Sequence, residues 1–204
     1  PAMHRLADPD VGDHWDGIVC VSDWQRNSYL ETFNLDSDKL TVIRNAIAPS
    51  FEKLFRSPDD LLRAKSGPLT LAYTSTPFRG LHLLLEIFPE FRKANPEARL
   101  DVYSSMAVYQ KHEAYDTQTF KWIYEALKTT DGAEHVGSMP PPALAERLAA
   151  SPILAYPNIF PETSCIAVME AMAAGLRVVT SDFAALPETT EDFADLVPFD
   201  FRDQ

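Results

Sequence analysis

The chain has 204 residues, 46% of them hydrophobic and 24% charged, with a formal net charge of −12. This is ordinary globular composition, long enough for one good core or for one domain and part of another. The negative balance argues against nucleic acid or an anionic membrane surface as a partner of this portion, and no apolar run approaches the ~20 residues of a membrane span.

No signal peptide is visible. Two cysteines, Cys20 and Cys165, give neither a disulfide framework nor metal-ligand spacing, and a reducing cytoplasm is the simplest setting. In chain order, strand-like apolar runs fall at Gly17–Val21, Leu40–Arg44, Leu69–Thr74, Arg99–Ser104, Ile153–Tyr156 and Arg177–Thr180. Helical patterns fall between them near Asp23–Phe33, Leu81–Lys93, Gln118–Lys128, Pro142–Ala150 and Ser164–Ala174. Alternation of this kind predicts an α/β fold, a parallel sheet with helices on both faces. A boundary is expected near residues 45–68, where a polar connector runs from Arg56 to Pro68.

Two segments carry candidate chemistry. In Leu71-Ala-Tyr-Thr-Ser-Thr-Pro-Phe-Arg-Gly-Leu81 a strand runs into a loop and then a helix, with Arg79 near the helix start. A cation there opposes the helix macrodipole, so it is either a plain surface residue or the partner of a bound anion. In the second segment every side chain from Cys165 to Ala174 is apolar or small except Glu170. A helix apolar all round is expected to be buried, and a buried carboxylate needs a polar partner. No basic residue stands three or four positions away to supply one. A distant Lys or Arg is one solution, and the hydroxyls of a ligand are another.

Glu162 lies eight residues before Glu170, just ahead of the helix, with Thr163 and Ser164 expected as N-cap residues. The two carboxylates would lie roughly 12 Å apart along the axis, about the span from ribose to sugar in a nucleotide diphosphate sugar. The free amides of a helix start between them offer an anion site. The plain alternative leaves Glu162 as a solvated loop residue. Gly175 is expected to cap the helix, Arg177–Thr180 to form a buried strand, and Leu186-Pro-Glu188 to open a turn.

Glu162 and Glu170, then Ala171-Met-Ala-Ala-Gly175, the Val178-Val-Thr180 strand and Pro187-Glu188 resemble the donor-site signature of the retaining family 4 glycosyltransferases of the GT-B fold. The resemblance runs from about residue 16 to 198 and is most specific over 157–188. It implies the Rossmann-like C-terminal half of a GT-B fold, with residues 1–48 a remnant of the N-terminal acceptor domain and linker and 49–204 a truncated donor domain. Most of the acceptor domain would then be missing from this chain and would be its partner in the reaction. The implied substrate is a nucleotide diphosphate sugar, transferred with retention and without a metal or other cofactor.

By the same resemblance, Arg79 contacts the donor diphosphate and, with the amides of Thr163, Ser164, Cys165 and Ile166, stabilises the leaving group. Glu162 holds the transferred sugar, and Glu170 accepts from the ribose hydroxyls. A second basic residue of the family is replaced by Thr74 and Ser75, which donate to phosphate more weakly. The base is expected near Glu134–Met139, through the backbone around Gly137 and Ser138, with Val102–Ser105 lining the same crevice. A GT-B nucleotide-sugar epimerase and a non-catalytic nucleotide-sugar-binding module are the alternatives.

Other features have plain readings. Asp36 and Asp38 fit turn chemistry better than a metal site. The five histidines (4, 14, 82, 112 and 135) have no ligand spacing; His82 and His112 are expected on helix surfaces, and His135 is a candidate for approaching the base. Trp15, Trp24 and Trp122 read as packing residues, and Glu188–Asp195 as a solvated face.

Overall fold

The computed structural model describes residues 15–33 and 35–199, so the expectations for His4 and His14 fall outside the described residues. The first unit is small. Strand β1 (Ile18–Cys20) leads into helix α1 (Asp23–Phe33) and returns as β2 (Leu40–Val42), which pairs parallel with β1. Between them a single 3-10 turn is capped by Asp36, whose carboxylate accepts from the Asp38 amide at 3.0 Å. That is the turn chemistry expected of the Asp36/Asp38 pair.

The second unit is a six-stranded sheet. Its elements in order are α2 (Pro58–Ala64), β3 (Thr70–Tyr73), α3 (Leu81–Ala94), β4 (Arg99–Val102), α4 (Glu113–Thr119), α5 (Lys121–Thr129), β5 (Ala133–His135), α6 (Pro141–Ala150), β6 (Ile153–Tyr156), α7 (Ile166–Ala173), β7 (Arg177–Asp182), α8 (Leu186–Thr190) and β8 (Ala194–Pro198). The strands lie in the order β5-β4-β3-β6-β7-β8, and every pairing is parallel. The α/β expectation therefore holds, with helices packed around a parallel sheet.

Burial explains which elements the sequence announces. The central strands bury Leu71, Ala72 and Tyr73 in β3 and Leu154, Ala155 and Tyr156 in β6. Helix α3 buries Leu81, Leu84, Leu85 and Phe88, a stripe at helical spacing. The edge elements are fainter. The region read as a solvated acidic face contains α8 and strand β8, in which Asp195 pairs with Arg177. The connector read as polar linker contains α2, started by Ser57, whose hydroxyl accepts from the Asp60 amide, with Pro58 in the first turn.

Lys65, at the end of α2, holds the sheet's helices together. Its ammonium donates to the carbonyls of Leu148, Ser151 and Ala174 at 2.9, 2.7 and 2.7 Å, at the ends of α6 and α7. These carbonyls lie at the negative ends of two helices, and that of Leu148 also accepts from the Ser151 amide at 3.0 Å. Burial pulls the ammonium down to about 8, and the three carbonyls work against that pull. Lys65→Met is expected to lower stability by about 2–4 kcal/mol, because the Ser151 and Ala174 carbonyls keep their desolvation and lose the ammonium, while Leu148 retains the Ser151 amide. Differential scanning calorimetry should read a melting point lower by roughly 5–10 °C, and a shift under about 2 °C would rule the role out.

Helix α7 ends as its sequence requires. Gly175 has φ +71°, its amide donates to the Met172 carbonyl, and the Leu176 amide reaches back to Ala171. This paired pattern is the Schellman closure that a left-handed glycine permits. The expectation that α7 is buried on all sides does not hold. Of its eight residues only Val168 and Ala171 are buried, and Ile166 is 42% exposed. An all-apolar pattern does not by itself fix which side of a short helix is covered.

Candidate functional site

The chain leaves β3 toward β4 and β5 on one side, while β6 continues toward β7 and β8 on the other. Loops leaving β3 and β6 must therefore diverge, and a crevice opens outside the carboxyl ends of these strands. A cleft of about 250 Å³ occupies that place. Thr74, Ser75 and Arg79 reach it from the loop after β3, Ser138 from the loop after β5, and Ala167 and Glu170 from α7. A larger depression of about 430 Å³, beside Arg92 and Asp131, lies at the opposite, amino end of the sheet.

Gly80 sets how tightly the β3 loop packs. It caps α3 with φ +101°, and a Cβ there would stand 1.9 Å from the Pro157 carbonyl oxygen. Only glycine lets the loop after β3 lie against the loop after β6. That contact brings Arg79 to Glu162. Arg79 Nη1 donates to Glu162 Oε1 at 2.6 Å, and Arg79 Nη2 donates to the Tyr109 hydroxyl at 2.6 Å. The guanidinium lies 4.6 Å from the Phe160 ring centroid, a cation–π contact.

Glu162 is buried, which overturns the solvated-loop alternative. Its Oε1 also accepts from the Tyr156 hydroxyl at 2.6 Å, and the Cys165 sulfur lies 3.9 Å away. All three donors converge on Oε1, and Oε2 takes none of them. Burial, followed by the nearby Glu162 charge, pushes the Cys165 thiol up to about 12, so it stays protonated and weakly nucleophilic. Cys20 and Cys165 are both free and buried.

Glu170 is half-buried and opens onto the cleft. Burial raises its carboxyl above the ordinary range, and the Ala48 backbone amide partly offsets this. No Lys or Arg forms an ion pair with it among the described residues. The distant-cation alternative is thus not realised there. Thr74, although buried, has a hydroxyl with no hydrogen-bond partner, as do Thr76 and Ser104. Buried polar atoms normally find partners, so the orphaned hydroxyls of Thr74 and Thr76, which line the cleft while Ser104 does not, suit a polar ligand.

The structure brings together Arg79, Thr74, Ser75, Ser138 and Glu170 in the cleft, with Glu162 joined through Arg79. Gly137 precedes Ser138 with φ +81°, its amide donating to the Val102 carbonyl. Thr163 and Ser164 do not cap α7. The cap is Cys165, without a side-chain cap bond, so the first amides of Ile166 and Ala167 keep no intrahelical acceptor. Neither Thr163, Ser164, Cys165 nor Ile166 lines the cleft, and Ala167 does instead.

Tyr109 and Asp116 escaped sequence reading, because a tyrosine in a polar loop and an aspartate in a short helix carry no spacing signal. His135 is held by the Ser104 carbonyl at 2.9 Å and stacks on Tyr124 at 4.6 Å, not on the cleft. Trp15 and Trp122 are 51% and 60% exposed, which corrects their reading as packing residues. Among the described residues no group of three or more His, Cys, Asp or Glu could hold a metal ion.

Glu188 ties the two units together. Its carboxylate accepts from the Asp23 and Trp24 amides at 2.9 and 2.8 Å, capping α1, and pairs with Arg44. Burial alone would raise this carboxyl, but those amides and the Arg44 guanidinium outweigh it and hold it below the usual range. Glu188 is therefore not part of a solvated face.

Over 198 residues the chain is 25% identical to the lipopolysaccharide 1,2-N-acetylglucosaminetransferase of Salmonella typhimurium, covering 93% of this chain and 50% of that protein. It is 25% identical over 183 residues to the O-antigen chain mannosyltransferase B of Escherichia coli, covering 86% of this chain and 45% of that one. The chain thus spans about half the length of the curated relatives it matches. The crystal structure of HepE from Anabaena in complex with UDP and glucose superposes with a TM-score of 0.67 at 15% identity, covering 92% of this chain and 51% of that one. At that identity the likeness is one of fold. Residues 65–202, well over half of the chain, match the family model for glycosyl transferases group 1, and the chain belongs to that family.

Proposed function

We propose that this chain is the donor-binding part of a retaining glycosyltransferase that uses a nucleotide diphosphate sugar. The observation that carries the reading is the cleft at the carboxyl ends of the strands. It holds one guanidinium, orphaned hydroxyls and a half-buried carboxylate with no cationic partner among the described residues.

In this reading the diphosphate lies against Arg79, the Thr74 and Ser75 hydroxyls and the free amides at the start of α7. Those groups stabilise the charge that builds on the leaving diphosphate. Glu170 is acceptor-only when ionised and takes the ribose hydroxyls. Glu162 uses Oε1 to orient Arg79 and turns Oε2 toward the transferred sugar. The base lies over the backbone at Gly137 and Ser138. No metal takes part, residues 1–48 end the acceptor domain, residues 49–204 form the donor domain, and the setting is the cytoplasm.

Calorimetric titration with uridine, guanosine, adenosine and thymidine diphosphates tests this. One of them is expected to bind at least about tenfold more tightly than its monophosphate, since the second phosphate adds charge-assisted bonds to Arg79. No binding by any of the four at millimolar concentration would sink the reading. One observation favours a non-catalytic module instead: the cleft's single guanidinium is already paired with Glu162. Turnover of labelled donor by the full-length protein, with the anomeric configuration of the product read by NMR, separates module from enzyme.

A further inference from the structure

The stretch after β4 is held more firmly than an exposed loop requires. Asp116, in α4, is only 7% exposed. Its Oδ2 accepts from the Ser105 hydroxyl at 2.9 Å and the Met106 amide at 2.7 Å, and its Oδ1 accepts from the Tyr124 hydroxyl at 2.7 Å. A buried carboxylate without a cation is tolerable only when donors satisfy it, and here three do. Ser105 in turn accepts from the Ala107 amide at 3.0 Å. The knot fixes the start of the single turn Ala107–Tyr109, which closes on Gln110 at φ 55°.

The turn delivers Tyr109 to the cleft. Tyr109 is 46% exposed, so packing does not explain where it sits. Its hydroxyl accepts from Arg79 Nη2 at 2.6 Å. A phenol that accepts from a guanidinium keeps its own proton unspent. Beside Arg79, the one cation lining the cleft among the described residues, that proton is a free donor for an anion.

Resting on the donor reading above, we propose that Tyr109 is a diphosphate-binding residue of this site. It donates to a phosphate oxygen while accepting from Arg79, and so adds a second donor beside the one cation that lines the cleft among the described residues. Asp116 is a positioning residue that acts through Ser105 and Met106. The ligand class is a nucleoside diphosphate or its sugar ester.

The test measures wild type, Tyr109→Phe, Asp116→Asn and the double variant against uridine, guanosine, adenosine and thymidine diphosphates and the matching nucleosides by calorimetry, with melting points read alongside. Tyr109→Phe is expected to weaken the diphosphate about 5- to 20-fold, the size of one hydrogen bond to a charged group, and to leave the nucleoside unchanged. Asp116→Asn should lower the diphosphate-to-nucleoside ratio in the same sense, and the double variant should lose no more than Tyr109→Phe alone. A Tyr109→Phe protein that melts and binds the diphosphate as wild type does overturns the role of Tyr109. An Asp116→Asn protein that weakens diphosphate and nucleoside equally overturns the positioning role. A wild type that binds none of the four diphosphates overturns the donor reading, and this inference with it.

Discussion

Arg79→Met is expected to lower stability by about 3–5 kcal/mol, far more than an ordinary surface ion pair. The side chains of Arg79 and Glu162 are only 17% and 6% exposed, so the substitution strands a buried carboxylate. Tyr156 remains as a donor to Glu162 Oε1, but one neutral hydroxyl does not replace a guanidinium. Adding Glu162→Gln should recover at least about 1 kcal/mol, because the stranded charge is removed. Urea unfolding of the two single variants and the double variant measures this. A single variant within about 1 kcal/mol of wild type would show that the pair does not act as a buried unit. On the proposed donor reading, Arg79→Met in the full-length protein should lower turnover roughly 100- to 1000-fold, the usual effect of deleting a donor to developing charge.

On the proposed donor reading, Glu170→Gln should weaken nucleoside diphosphate binding about 10- to 50-fold at neutral pH, by removing charge-assisted bonds to ribose hydroxyls. The effect should also depend on pH. Burial raises the Glu170 carboxyl above its ordinary value of 4.5. A raised carboxyl favours its protonated form in the folded state, so its contribution to stability is full below 4.5 and fades as pH rises through the raised value. Hydroxyl donors from a ligand favour the ionised form instead. Binding to the wild type should therefore release a proton in that window, and affinity should climb with pH there. Calorimetry near pH 5, in two buffers of different ionisation enthalpy, reads the released proton directly. Equal affinity of wild type and Glu170→Gln at neutral pH would remove Glu170 from the site.

How much of this was legible depended on where each residue sits. The strands at Leu69–Thr74 and Ile153–Tyr156 were plain because central strands are buried on both faces and read as continuous apolar runs. Strand β8 and helix α2 were not, since half-exposed edge elements carry mixed sequence, although Ser57-Pro58 was a usable start signal. In the site, Glu170 stood out as the one charge in an apolar helix, and Gly175 as its terminator. The same apolar pattern misled about burial, because it cannot tell a packed face from one that borders a cleft.

The sequence by itself determined the alternation of strands and helices and the glycine that ends α7, because these are set by local periodicity and steric limits. Only the tertiary structure decided that Arg79 and Glu162 pair, that Tyr109 joins them, that Lys65 gathers three carbonyls and that Glu188 caps α1. Those contacts join residues 30 to 165 positions apart. No local rule encodes such pairs; they follow from the order in which parallel strands lie side by side.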